Sequence, residues 1–352
     1  MAKRSTINDI AKACGISIGT VDRVLHNRGR CSAETRKLVL ETAKALHYIP
    51  KHPDATAHRS LTHYRIGILV AADTQAGSFW ATSVKGIRQA EDMLNRTNLD
   101  VEIVYGCQSS FVLEDQIQAI NDLLAQNIDA LIFTAFDEGS SFNFDSIIPQ
   151  SVPYATVINR SWNDSVLFHI GPHDEQLGAV MAREVALYCS PDAKVAIIAP
   201  NIEIEGMTKR IRGFAGKVQR ELKDMHILQI SPVMAPSPSE SYSQVETEVR
   251  NLLKLHSDLD AIYITNGFIK NACDAIRSIP GCRVKLFGHE VYADMERDLN
   301  DGILAATVYM RPDIQWFNAI DAMAKYLTEG TVPPHDIPAA CQLVTQEMFP
   351  LL

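Results

Sequence analysis

No stretch of this 352-residue chain approaches the roughly 20 consecutive apolar residues that a membrane helix needs. The opening Met1-Ala2-Lys3-Arg4-Ser5-Thr6 also lacks a signal-peptide core and runs into alternating polar and apolar residues, so the expectation is a protein that is not exported. The seven cysteines are scattered, with no CxxC pair and no Cys/His spacing suited to a metal, and read as reduced thiols packed as small hydrophobes. G-x-G-x-x-G is missing from the turn Ala71–Gly77, and neither G-x-S-x-G nor a phosphate loop occurs anywhere. No cofactor is therefore expected. His173-Asp174 and His289-Glu290 come nearest to an acid–base or metal pair, but adjacent side chains point in different directions and neither pair chelates by itself. The expectation is a non-enzyme.

Charge is present but unevenly placed. Of 33 Lys and Arg and 42 Asp and Glu, residues 1–62 hold 11 basic against 5 acidic, leaving 22 against 37 for the rest. A small basic head on a large acidic body suits a head that alone meets a polyanion.

The head has the punctuation of three short helices. Ile7, Ile10 and Ala11 recur at the spacing of one buried stripe, with Thr6 placed to cap the start and Gly15 to end the helix in a left-handed turn. Ser17 caps a second helix whose inner face is Val21, Val24 and Leu25. A third starts at a Ser32 cap, with Leu38, Val39, Thr42, Ala43 and Leu46 as its inner stripe. Two short helices around a tight Gly turn make a helix-turn-helix. Its second helix would enter a major groove N-terminus first, presenting Ile18, Gly19, Asp22 and Arg23. Arg23 can fork onto guanine, Ile18 can meet a thymine methyl, and the hydroxyls of Ser17, Thr20, Ser32 and Thr35 suit phosphate oxygens. A ligand-free structural three-helix bundle is the bland alternative.

Thr6 to Pro50 resembles the DNA-binding domain of the lac-repressor (LacI/GalR) family, matching T-I-x-D-[IV]-A, A-G-V-S, T-V-S-R-V-L, V-S-x-x-T-R and Y-x-P nearly throughout. The resemblance implies contacts to double-stranded operator DNA from Thr6, Ser17, Ile18, Gly19, Thr20, Asp22, Arg23, His26, Arg28, Ser32 and Thr35. Gly19 occupies a base-reading position without a side chain, which shifts the reading onto Ile18 and Arg23. Asp22 replaces a phosphate-contacting Ser, and its repulsion can be offset by Arg28 and Arg30. The resemblance also implies a hinge helix within residues 51–63, with Leu61 as a minor-groove wedge; a flexible linker is the rival reading.

Beyond Arg65, short apolar runs alternate with amphipathic helices. The runs are Ile66–Ala71, Val101–Tyr105, Ala130–Thr134, Tyr154–Ile158, Val195–Ala199, Ala261–Thr265, Val284–Phe287 and Ala305–Val308. That alternation predicts parallel, doubly wound sheets, enough for two lobes with a ligand cleft at the strand C-termini. The fold expected is an N-terminal all-α helix-turn-helix domain (1–50) plus an α/β two-lobed periplasmic-binding-protein-like domain (64–352), with two doubly wound parallel sheets. The landmarks Ser78-Phe79-Trp80, Asn159-Arg160, Ile170-Gly171-Pro172, Arg210-Ile211-Arg212-Gly213, Asn266-Gly267, Gly288-His289-Glu290 and Arg311-Pro312, in that order, resemble the sugar-binding fold that this family shares. The resemblance implies three crossings between lobes, an N-lobe of about 64–172 and 311–338, and a C-lobe of about 173–310 and 339–352.

The same resemblance implies a sugar-like effector held by Phe79, Trp80, Thr134, Asn159, Arg160, Arg210, Tyr242, Asn266, Glu290 and Met310. Asn159 and Glu290 stand where sugar binders have Asp, and Met310 where Gln is usual, so one side of the pocket is less polar. The expected function is a cytoplasmic homodimeric regulator, a repressor, whose grip on its operator is set by a small molecule, with no membrane partner. A cytoplasmic small-molecule receptor without DNA-regulatory activity is the alternative.

Overall fold

In the computed structural model the described residues are 6–25, 32–46, 63–71, 79–97, 99–108, 112–136, 142–202, 204–234 and 238–351. His26, Arg28 and Leu61 lie outside them, as does nearly all of the linker.

The head is built from helices α1 (Ile7–Cys14), α2 (Ile18–Leu25) and α3 (Ala33–Ala45). Each starts on a hydroxyl. At α1 the Asp9 amide donates to Thr6 Oγ1 (3.4 Å) while the Thr6 amide donates to the Asp9 carboxylate (2.8 Å), a reciprocal cap for two orphan donors. Helices α2 and α3 repeat one device: Thr20 and Thr35 each donate a backbone N–H, at 3.1 Å, to the hydroxyl of Ser17 and Ser32 three residues earlier. Gly15 ends α1 at φ 65°, a conformation costly for any residue with a Cβ. The core is Ile10, Ala11, Val21, Val24, Leu25, Val39 and Ala43. Leu38, expected inside, is 45% exposed, and Thr42 donates to the Leu38 carbonyl of its own helix. Val39, Ala43 and Leu46 already complete the inner line at i, i+4 and i+7, and one residue is about 100° of helix rotation, which carries Leu38 outward.

The body contains two six-stranded sheets. The first, in the order β11-β5-β4-β3-β1-β2, comprises β1 (Tyr64–Ala71), β2 (Val101–Gln108), β3 (Ala130–Phe133), β4 (Tyr154–Val157), β5 (Val166–Gly171) and β11 (Asp336–Pro338). In the second the order is β12-β10-β9-β8-β6-β7: β6 (Lys194–Pro200), β7 (His226–Val233), β8 (Ala261–Ile264), β9 (Lys285–His289), β10 (Leu304–Tyr309) and β12 (Gln342–Val344). All pairings are parallel except β10 with β12. The chain passes between sheets after β5, after β10 and after β11. Strands buried on both faces, such as Ala130–Phe133 and Ala261–Ile264, are continuous apolar runs, as parallel strands covered on two sides must be.

Helices α4 (Phe79–Arg96), α5 (Leu113–Leu124) and α11 (Pro312–Glu329) cover the first sheet. The second is covered by α6 (Asp174–Tyr188), α7 (Glu205–Glu221), α8 (Pro238–Leu255), α9 (Lys270–Arg277) and the short α10 (Met295–Asn300). Helices α6 and α7 pack backbone to backbone. A Cβ on Gly178 would sit 1.9 Å from the Arg210 carbonyl oxygen, and one on Gly213 would sit 1.8 Å from that of Glu175. This approach brings Arg210 on α7 within reach of Asp174 at the start of α6. Among the described residues no helix is long and apolar enough to cross a membrane.

Candidate ligand cleft and nucleic-acid-binding face

The C-terminal ends of both sheets' strands open onto one cavity of about 140 Å³. At water-sized packing this holds on the order of ten atoms, the scale of a single sugar ring. From the first lobe come Phe79 and Trp80 at the start of α4, Phe136 after β3, and Ile158 and Asn159 after β4. The second lobe contributes Asn201 and Ile204 after β6, Met207 and Arg210 on α7, Tyr242 on α8, Asn266 to Phe268 after β8, Glu290 to Tyr292 after β9, and Met310 after β10.

The aromatic wall is built in two halves. Phe79 meets Trp80 edge-on at 5.0 Å, and Trp80 leans on Phe136 at 5.8 Å. Across the cavity Tyr242 meets Phe268 edge-on at 4.7 Å. Trp80 is also part of the first lobe's core, so it serves the fold and the wall together.

Arg210 is 2% exposed, and most of its donors face protein partners. Nε bonds Asp174 (2.7 Å), one terminal nitrogen bonds the Thr265 carbonyl (2.6 Å), and the other lies 2.9 Å from the Met310 sulfur. Burial works against the guanidinium charge, but Asp174 overcomes it and the pKa rises. Glu290 is 5% exposed, and its Oε1 has no hydrogen-bond partner. Burial pushes its carboxyl up to about 8, against the pull of Arg210 and of the Met310 amide. Asn159 donates to the Ala135 carbonyl (3.1 Å), and Asn266 accepts from the Phe268 amide (3.1 Å). Behind the wall, His289 is buried against the Tyr263 hydroxyl at 2.9 Å, and burial holds the imidazole neutral.

Two expected ligand residues lie elsewhere. Thr134 is buried at the end of β3, behind the wall, with its carbonyl accepting from Gln116 (2.8 Å). Arg160 lines an outer groove that adjoins the cavity through Ile158, Asn159 and Ile204, where it is ion-paired to Asp336 and stacked on Trp162 at 4.6 Å. A paired, stacked arginine is satisfied without a ligand. Trp162 in turn joins the lobes: its Nε1 donates to Glu205 on α7 (2.7 Å), and Lys209 lies 4.9 Å from its ring. Residues that sequence reasoning missed include Phe136, Ile158, Asn201, Met207 and Tyr292. Polarity marks only Asn201 among them; the others read as core.

On the head, Ile18 is 54% exposed, and Ser17, Gly19 and Arg23 are also exposed along the first two turns of α2. A Cβ on Gly19 would meet nothing within 4 Å, so the face is open there. Arg23 lies back along its helix, donating to the Gly19 carbonyl (3.1 Å) and the Thr20 hydroxyl (3.4 Å). Thr6, Ser17, Ser32 and Thr35 are at helix starts, and Asp22 is half-buried.

Known proteins share both parts. Residues 6–51 match the model of bacterial regulatory proteins of the lacI family, and residues 66–331 match that of the periplasmic binding protein domain. The HTH-type transcriptional regulator MalR of Streptococcus pneumoniae is 31% identical over 134 residues, which is 36% of this chain and 38% of that protein. The match thus spans well under half the length of that relative. Among solved structures, a carbohydrate transporter solute binding protein from Agrobacterium radiobacter, in complex with D-arabinose, superposes with a TM-score of 0.70 at 17% identity, covering 82% of this chain and 96% of its own. GanP, a glucose-galactose binding protein from Geobacillus stearothermophilus, gives 0.70 at 19% identity, covering 82% and 99%. At such identities the likeness is one of fold. The chain thus carries a DNA-binding head of the lacI family of bacterial regulatory proteins and, over three quarters of its length, belongs to the periplasmic binding protein domain family.

Proposed function

We propose that this chain is a sequence-specific DNA-binding transcriptional regulator, a repressor, whose operator affinity is set by a small molecule of sugar size. One observation carries the reading: a single chain joins a capped helix-turn-helix with an exposed second helix to a cavity walled by both lobes of a binding domain. It acts in the cytoplasm as a homodimer, two heads reading adjacent major-groove half-sites of a near-palindrome. Phe79, Trp80, Asn159, Arg210, Tyr242, Asn266, Glu290 and Met310 form the effector site. Because ligand touches both lobes, it favours one relative pose; the linkers leave from the first lobe, so the pose changes head spacing. Such linkage typically carries about 1–3 kcal/mol.

The test is selection of bound sites from random DNA by the full-length protein. An enriched inverted repeat supports the regulator reading. Absence of enrichment, with folded protein at low salt, leaves either an obligate corepressor or a receptor whose head does not read DNA, and absence that persists with a bound effector present overturns the regulator reading.

A further inference from the structure

The cavity's polar side chains are Asn159, Asn201, Arg210, Tyr242, Asn266, Glu290 and Tyr292, and several of them are partly committed within the protein. The charge of Arg210 is compensated by Asp174, and its remaining donors face Thr265 and Met310. Asn159 and Asn266 each spend one side-chain bond on backbone. Against these stand Phe79, Trp80, Tyr242 and Phe268 and the orphaned, buried carboxyl oxygen of Glu290. A ring with hydroxyls all round would leave several of them unpaired on aromatic faces, which a buried site penalises. A cation suits the same surroundings, since aromatic faces attract it and Glu290 supplies the counter-charge.

We propose that the effector is a monosaccharide-sized molecule bearing an ammonium group, of the amino-sugar class, with its cationic nitrogen on Glu290 between the aromatic walls of the two lobes. This rests on the reading of the inter-lobe cavity as the effector site. The charge count agrees. Arg210 from α7 is bonded to Asp174 from α6 and lends Glu290 only a through-space pull, and Asp313 from α11 is held by its own Arg311 (3.0 Å), which leaves Glu290 without an ion-pair contact and its Oε1 without a hydrogen bond. The ionised carboxylate then faces a cation rather than an apolar wall. A neutral ligand would instead leave the carboxyl protonated, so the two ligand classes differ in what happens to one proton.

The test is calorimetry on the full-length protein at pH 7 with paired probes. Trimethylammonium, D-glucosamine, D-galactosamine and D-mannosamine are each titrated beside tert-butanol, D-glucose, D-galactose and D-mannose respectively. The expected result is at least one ammonium probe binding about ten-fold or more tightly than its neutral partner. Its binding heat should differ between Tris and phosphate buffers by the release of close to one proton, since burial keeps Glu290 protonated in the free protein. Glu290→Gln should erase the preference. Silence of every ammonium probe, equal affinity of the neutral partners, or binding without proton release overturns the proposal, and the proton count does not depend on the variant folding. Site selection on the same preparation separates the two readings. Operator enrichment without ammonium preference sinks the ligand class alone, and ammonium preference without enrichment, in the absence and in the presence of the bound probe, sinks the regulator reading alone.

Discussion

Glu290 makes the stability of the two lobes depend on pH, and the dependence can be worked out. Its carboxyl is pushed by burial from an ordinary 4.5 to about 8. A raised folded-state value means the contribution is complete below pH 4.5 and is lost as pH rises through 8. The difference of about 3.5, at about 1.4 kcal/mol each, comes to about 5 kcal/mol, of which about 3 is already gone by pH 7. That is a large share of the roughly 5–15 kcal/mol that holds a domain folded. Glu290→Gln keeps the shape and removes the titration. The stability of the variant minus that of the wild type should therefore grow by about 4 kcal/mol from pH 4.5 to pH 9. Trp80, Trp162 and Trp316 all lie in the lobes, so urea unfolding followed by intrinsic fluorescence at pH 5, 7 and 9 reports on them and not on the head. A difference flat to within about 1 kcal/mol across that range would refute the reasoning, because Glu290 would then ionise in the fold as it does in water.

Gly178→Ala should lower lobe stability by about 3 kcal/mol or more, since the new Cβ would lie 1.9 Å from the Arg210 carbonyl oxygen and α6 and α7 would have to separate; an unchanged melting temperature would show that this crossing yields freely. Thr6→Ala removes half of the reciprocal cap on α1 and should cost about 1 kcal/mol locally, read as roughly five-fold faster hydrogen exchange in the first turn of that helix. Arg23→Ala should weaken operator binding by about 1–3 kcal/mol and relax preference at one base pair, measured by titration of the selected site and its single-base variants. Full affinity and preference in that variant would remove α2 from the major groove.

The fold was largely legible because its signals are local. Thr6, Ser17 and Ser32 could be placed as caps from their spacing to the next apolar stripe, and Gly15 from its position after one. Eight of the twelve strands were visible as apolar runs. Three of the four edge strands were not. His226–Val233 alternates exposed and buried residues and contains Pro232, while Asp336–Pro338 and Gln342–Val344 are three residues each, too short for any period to show. Val166–Gly171 is buried except at half-buried Leu167 but holds His169, whose ring meets Thr156 at 2.9 Å, a tertiary partner that no local pattern announces.

The cleft was legible in part, and the missing part has a physical cause. Ile158, Asn201 and Glu290 adopt left-handed backbone, at φ 70°, 52° and 72°, just beyond the C-terminal ends of β4, β6 and β9. Glycine would be the economical residue at such turns, so its presence normally marks them in a sequence. Here bulky side chains hold these positions, and for β-branched Ile158 the cost is on the order of 1–3 kcal/mol. All three line the inter-lobe cavity, where glycine would leave no wall. The strain places a side chain at the mouth of each strand where a relaxed turn would have placed none. The family resemblance pointed to Glu290 and Asn266 at strand ends, but Ile158 and Phe136 are indistinguishable from core residues until the strands are set side by side. For Arg160, which the resemblance placed on the ligand, the return of the chain at Asp336 supplies an ion-pair partner that no local pattern announces.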